Sequence, residues 1–411
     1  MMWKFNQPCQ DCSESVMNLP WDRAGSRPMP VLCRVLVLLV FLQAWRTVIA
    51  APAGADPNAS SAVMRPASAV VGVPHASSPE TQAARREIVE RALRYLATLP
   101  KDGMAGGEPR ARTVTSLVVL AQLSSGALPS DPVRGPALQS AADWLAKNSA
   151  VSFFGGEEEP NTDHAMASLM VTELLGTLPS GDANRKLLEV ARAALEQSLR
   201  LQDTGVSPEY SGGWRRTDKT RANDRILTAW YLLQLRSASL RGLKVPKAAI
   251  ERAVEFISAS QKLAEANKDE FGGFSMDAYG LPVRSSTAAG MTALILFNPD
   301  PRRVDAAHAW LDRHPPRWYG PQFFDFNFFA ARALYRFRSA DGGECYRRYL
   351  GRLVKLIKER QDPDGSVPFP PGHSGPTVAM GLGYSTAMAV LILNHDRGFL
   401  PLDVDESAGW P

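Results

Sequence analysis

The sequence predicts an all-α protein of six helical hairpins, (α/α)6, closed into a toroid of two concentric rings. Three observations carry this expectation. From residue 81 to 402 the chain repeats a unit of roughly 45–60 residues. In each unit an amphipathic helix is followed by one that is apolar on nearly every face. Several of the loops between them repeat a Gln followed by glycine and an aromatic.

The first helices of the units start near Ile88, Leu138, Leu187, Ile250, Val304 and Tyr346. Ile250, Ala253, Val254 and Ile257 fall three and four apart, with Glu251, Arg252 and Glu255 on the other face, the pattern of a helix half in water. Their partners are expected at residues 113–123, 163–175, 224–235, 286–297, 324–337 and 384–393. The runs beginning at Trp230 and Met291 are apolar all round, which places such helices inside. Six exposed helices alternating with six buried ones favour a closed ring over an open solenoid, where the two kinds would be more alike. Gln202 precedes Gly212-Gly213-Trp214, Gln261 precedes Gly272-Gly273-Phe274, and Gln361 precedes Asp364-Gly365 and then Phe369. Glycine permits the reversal, the aromatic packs on the hairpin and Gln bonds loop backbone.

Residues 1–50 read as a secretory signal, with Met29 as an alternative start. Arg23, Arg27 and Arg34 precede the apolar residues 35–42, and Ala50, Ala51, Ala53 and Ala55 follow. Gln43 and Arg46 interrupt the run too early for a good membrane span. Export to the periplasm or cell envelope is expected, with an uncleaved membrane anchor as the alternative and membrane contact through that segment only. Residues 51–80, rich in Ala, Pro and Ser, cannot bury a core and read as a disordered linker. Residues 403–411 read as a solvated tail. Cys9, Cys12 and Cys33 fall in the signal region, so Cys345 is the single remaining thiol and reads as a core residue. Of 46 Lys and Arg and 42 Asp and Glu, five and three lie in the first 50 residues, which leaves 41 against 39. That balance excludes the basic stripe of a nucleic-acid binder.

Gln followed by Gly-x-aromatic between paired helices resembles the repeats of the squalene–hopene cyclase and protein prenyltransferase toroids. The turn at residues 361–366, the helix at 384–393 and the trailing Gly398-Phe399-Leu400-Pro401 are similar to the last repeat of bacterial prenyltransferase and squalene oxidase repeat proteins. The resemblance spans about residues 85–402. It implies a toroid of the terpenoid cyclase and prenyltransferase type with a central cavity. The cyclases' acidic Asp-x-Asp-Asp is absent; Asp403-Val404-Asp405-Glu406 is nearest and lies in the tail. The prenyltransferases' zinc-binding Asp-x-Cys corresponds to Asp325-Phe326-Asn327, and Asn supplies no thiolate, so neither metal nor cofactor is expected despite His373 downstream. The resemblance therefore implies binding of an apolar ligand (isoprenoid or lipid) or a polymeric one such as a glycan, without the family's catalytic motifs. The alternatives are an enzyme, cyclase-like or polysaccharide-active, that uses cavity carboxylates, and an interaction scaffold with a filled cavity.

In a toroid the starts of the inner helices face the cavity mouth. Asp325, Asp163 and His164 are the candidates for acid–base chemistry, and Asp224, Asn327 and Tyr384 for ligand binding. Ser, Thr, Asp and Asn at these places also serve as helix caps, and Asp163 and His164, being adjacent, do not face each other on a helix. The aromatic run 323–329 serves packing, or a cation–π wall. Glu157, Glu158 and Glu159 read as a solvated loop, as does the basic group Arg215, Arg216, Lys219 and Arg221 beside Trp214, with contact to an acidic ligand or a lipid surface as its alternative.

Overall fold

Helices with no polar face occupy the centre, and half-polar helices surround them. The computed structural model describes residues 77–99, 110–132, 134–148, 153–177, 181–207, 209–264, 267–297, 300–337, 343–373 and 376–404. The signal segment with its three cysteines, the linker through residue 76 and residues 405–411 lie outside the described residues. The hairpins are α1 (Pro79–Thr98) with α2 (Ala111–Ser124), α3 (Gly135–Asn148) with α4 (Pro160–Leu174), and α5 (Asp182–Leu201) with α6 (Arg225–Leu240). They continue as α7 (Lys247–Ser258) with α8 (Arg284–Phe297), α9 (Pro301–Arg313) with α10 (Phe323–Arg336), and α11 (Glu344–Lys358), the single turn α12 (Pro376–Ala379) and α13 (Gly381–Asn394). No described helix is long and apolar enough to cross a membrane.

The inner ring closes. α2 packs on α4, α4 on α6, α6 on α8, α8 on α10, α10 on α13, and α13 returns to α2. Outside it, α11 of the last unit packs on α1 of the first. On α11 the residues Tyr346, Tyr349, Leu350, Leu353, Val354 and Ile357 are buried at helical spacing, whereas α13 is buried from Gly383 through Asn394. Each large apolar side chain so buried stabilises the fold by about 1.5–3 kcal/mol. Cys345 is one of the buried residues of α11, and its thiol donates to Asp312 Oδ1 at 3.4 Å.

Three loop glutamines each fasten one unit to the next. Nε2 of Gln202 donates to Gly212 O (2.8 Å) and to Ala249 O on α7 (2.7 Å). Gln261 repeats this with Gly272 O (3.3 Å) and Arg303 O on α9 (2.8 Å). Gln361 bonds Gly365 O (2.9 Å) and Ile88 O on α1 (3.0 Å), so the third hook joins the end of the ring to its beginning. Gly212, Gly272 and Gly365 have φ of +102°, +91° and +95°, and a Cβ would meet Arg252 O at 2.5 Å, Ala306 O at 2.0 Å and Arg91 O at 2.3 Å. Only glycine satisfies both constraints. Two residues on, the backbone N–H of Trp214, Phe274 and Val367 donates to the hydroxyl of Thr228 (3.1 Å), Thr287 (2.9 Å) and Thr386 (2.9 Å) on the inner helices. In the sixth unit Val367, not Phe369, therefore holds the equivalent place. Phe369 stacks on Tyr384 instead, with centroids 6.1 Å apart.

The end of the chain is part of the fold. After α13, one turn of 3-10 helix at His395–Arg397 and another at Pro401–Asp403 cross the far end of the ring, the second against α6. Asp403, expected in a solvated tail, is buried and takes both oxygens to Arg332 of α10, from Nε (2.8 Å) and Nη2 (3.0 Å). The Arg332 guanidinium lies 3.8 Å over the Phe328 ring. Leu400 and Leu402, just ahead of Asp403 in the chain, are buried, which draws the following acid inward. A charge in such a place needs a partner, and the fold supplies one.

Candidate functional site at the mouth of the ring

The inner helices run side by side in one sense. Tyr231 Oη donates to Asn161 O near the start of α4 (2.8 Å), while at the other end Asn394 Nδ2 donates to Ser125 Oγ (2.8 Å). Their N-termini therefore meet at one mouth, and charged side chains from three loops converge there. Arg110, which precedes α2 and is fully buried, donates from Nε to Asp163 Oδ1 (3.1 Å) and from Nη1 to Glu159 Oε2 (3.0 Å). Arg216 donates from Nη1 to the same Glu159 oxygen (3.1 Å) and from Nε to Asp224 Oδ2 (2.7 Å). The result is an alternating chain, Asp163–Arg110–Glu159–Arg216–Asp224. Beside it lies a cavity of about 90 Å³ whose walls include Arg110, Glu159, Arg216, Trp230, Asp325 and Tyr384. Trp230 Nε1 donates to Asp325 Oδ1 at 3.3 Å.

The carboxyls at this cavity differ in acidity. Burial raises Asp325 to about 6, although Arg216 and the Trp230 hydrogen bond oppose the rise. Burial also works against the Glu159 charge, but Arg216 and Arg110 outweigh it and lower that pKa. For Asp163 burial wins over Arg110, Thr113 and the Gly156 N–H, and its pKa is raised. Burial likewise disfavours the Arg216 charge, yet Asp224 and Glu159 overcome this and raise its pKa. Burial pushes the Tyr384 hydroxyl well above its ordinary value, with Asp325 adding to the effect. Near neutral pH the cavity thus holds two fixed cations, one ionised carboxylate and one carboxyl that can exchange a proton.

The structure brings some of the sequence-predicted residues together and separates others. Asp325 and Tyr384 border the cavity. Asp224 caps α6, accepting the Leu227 N–H (2.8 Å), and borders a neighbouring open pocket with Arg216. Asp163 stands behind the cavity wall, where it anchors Arg110 and accepts from Thr113 Oγ1 and from the Gly156 N–H. His164 points outward. Its Nδ1 accepts the Phe154 N–H (3.3 Å), so Nε2 carries the hydrogen that faces Ala194 O on α5 (3.2 Å), and burial lowers its pKa to about 3. Asn327 also faces away, donating to Phe323 O (2.7 Å) and accepting the Tyr349 hydroxyl of α11 (2.7 Å). Capping explains fewer of these residues than their types suggest. Pro160 starts α4 ahead of Asp163, and Asp325 and Tyr384 lie inside the first turns of α10 and α13, so Asp224 alone among the six caps a helix through its side chain.

Arg110, Glu159 and Trp230 are polar cavity residues that sequence reasoning missed, and Arg216 was singled out only as part of a basic loop. Glu159 and Arg216, read as solvated, are turned inward as a pair. A signal existed in Trp230, since an indole N–H within a helix apolar on every face requires a buried acceptor.

No protein-family model matches the sequence. No curated protein matches it either. Among solved structures, the chain is similar to the type II terpene cyclase MstE from Scytonema, in a variant complexed with geranylgeranyl dihydroxybenzoate. Sequence identity is 14%, 78% of this chain and 99% of that one are covered, and the TM-score is 0.50. It is also similar to a GH76 alpha-mannanase from Bacteroides thetaiotaomicron, with 13% identity over 77% of this chain and 96% of the other and a TM-score of 0.47. The likeness to the cyclase is one of fold, and with the closed inner ring it makes the chain an all-α, six-hairpin α/α toroid with a cavity at its mouth.

Proposed function

We propose that this toroid binds a polar, polymeric ligand at the mouth of its ring, with Arg110, Arg216, Glu159 and Asp325 as the recognising groups. The observation that carries the reading is Arg110: a fully buried guanidinium in the cavity wall whose Nη2 has no partner. An unpaired buried donor costs about 1–3 kcal/mol, which a ligand oxygen would recover. The size of the cavity favours a ligand that lies across the mouth over an enclosed isoprenoid or lipid. Pockets that surround a drug-sized molecule measure about 300–1,000 Å³, and this one measures about 90 Å³. Export belongs to the same reading and is supported by the order of basic, apolar and small residues between Arg23 and Ala55.

A second reading, acid–base turnover of that polymer, is favoured by one observation. Asp325 and Glu159 border one cavity with acidities displaced in opposite directions, as a proton donor and its ionised counterpart require. Affinity electrophoresis of the full chain through gels containing soluble polysaccharides tests both. Binding predicts retardation by at least one polymer, lost in Arg216→Ala. Turnover predicts release of new reducing ends, lost in Asp325→Asn while retardation persists. Unretarded migration in every gel, with a lipid or isoprenoid co-purifying in the native mass spectrum, would return the argument to an apolar ligand.

A further inference from the structure

Beside the charged mouth a larger pocket of about 240 Å³ opens at the rim, with Asn223, Asp224, Arg225, Met276 and Ser286 among its walls. Three of these residues are buried yet keep a polar atom without a partner: Asn223 Oδ1, Arg225 Nε and Ser286 Oγ, with 7%, 4% and 2% of their surface exposed. The vacancies are specific. Asn223 spends its amide N–H groups on Asp203 Oδ2 (3.0 Å) and Tyr210 O (2.7 Å), leaving an acceptor. Arg225 spends Nη1 on Met276 O (2.7 Å) and Nη2 on Glu209 O (3.3 Å), leaving a donor. The Ser286 hydroxyl can do either.

Arg225 thereby clamps two loops against the pocket, and each loop carries an exposed tyrosine. Tyr210 and Tyr279 are 56% and 75% exposed. Their hydroxyls meet at 3.2 Å, and Tyr279 Oη also lies 3.3 Å from Glu209 Oε2. The pair is therefore fixed in water with its rings uncovered, although burying them would be favourable. The pocket wall carries both signs, Asp224 with Arg216 and Arg225, and Arg216 is already paired with Asp224 (2.7 Å) and Glu159 (3.1 Å), so a charged ligand of either sign meets its own sign there. A neutral ring with many hydroxyls meets none of that repulsion. It offers donors and acceptors together, and its C–H face stacks on an aromatic ring.

We infer that this pocket and the Tyr210–Tyr279 pair form a carbohydrate subsite, in which a sugar's hydroxyls satisfy Asn223, Arg225 and Ser286 while a neighbouring sugar ring stacks on the tyrosines. The inference rests on the polymer reading above and names its chemical class. The test is calorimetric titration of the full chain with mannohexaose, cellohexaose, maltohexaose and chitohexaose, each to about 10 mM, a range that reaches millimolar Kd. At least one hexaose binds. Tyr279→Ala weakens it about five- to tenfold, and Ser286→Ala by a similar factor. Ser286 Oγ has no partner in the fold, and Tyr279 Oη bonds only Tyr210 and Glu209 of one exposed loop, so the fold survives both substitutions. A hexaose that binds both variants as tightly as the parent would overturn the subsite, and its loss in Arg216→Ala would leave the mouth reading standing. Absence of binding by all four would overturn the neutral-sugar subsite, while retardation by a charged polysaccharide would still support the mouth.

Discussion

Replacing Asp325 by Asn measures what it costs to hold a carboxylate in the mouth cavity. Burial lifts its pKa to about 6 from the 3.8 of a free carboxyl. Between those two values the folded chain keeps a proton that the unfolded chain has released, so stability falls as pH rises through the window. At 1.36 kcal/mol for each pH unit the loss totals about 3 kcal/mol above pH 7 and is under about 1 kcal/mol at pH 4. Asn carries no such charge. The variant is therefore expected to be about 2–3 kcal/mol more stable than the parent at pH 8 and within about 1 kcal/mol of it at pH 4. Urea unfolding of both full chains, followed by circular dichroism at the two pH values, gives the difference directly. Subtraction removes groups common to both, such as the buried Glu173, which burial raises to about 7. A variant equal to or weaker than its parent at pH 8 would refute the reasoning, because Asp325 would then be an ionised partner that Arg216 holds at a profit.

Gly272→Ala forces a side chain into φ +91° and onto Ala306 O, and should cost at least about 2 kcal/mol. Gly242→Ala, at φ +77° with open space around it, should cost about 1 kcal/mol, so the two melting temperatures separate strain from collision. Gln361→Ala removes both bonds of the hook that reaches Ile88; a loss of about 1–3 kcal/mol is expected, with faster hydrogen exchange in α1. Asp403→Ala strands the buried Arg332 charge and should lower stability by about 3–5 kcal/mol in the same unfolding assay. The His164 ring protons should show no titration between pH 5 and 8 by NMR, since its pKa lies near 3.

The hairpins were legible because burial writes itself into local periodicity. Ile250, Ala253, Val254 and Ile257 announce one wet face, and the all-apolar run after Trp230 announces none. The Gln–Gly loops were legible for the same local reason, apart from Val367, whose role depends on a threonine 19 residues later. The mouth was only partly legible. Asp325, Tyr384 and Asp224 stand at helix starts, where a toroid places its polar residues, but Glu159 and Arg216 are joined across 57 residues and Arg332 and Asp403 across 71. Glu159 differs from Glu157 and Glu158 in sequence only by preceding Pro160, which marks a helix start but no partner. What selects it is a pair of arginines delivered by other units. The adjacent Asp163 and His164 part company for a reason the helix dictates, one turning to Arg110 and the other to α5.

The hook from Gln361 to Ile88 has a consequence for how such chains can change. In an open array of repeats, duplicating a unit lengthens the stack and leaves every older interface intact. Here the last unit already spends its glutamine on the first, and α13 and α11 already occupy the flanks of α2 and α1. A seventh hairpin would have no dock unless that seam opened and every neighbour turned through a smaller angle. Growth by tandem duplication therefore requires rebuilding the whole ring, whereas the loops at the mouth, where the two candidate pockets lie, can vary without touching that seam.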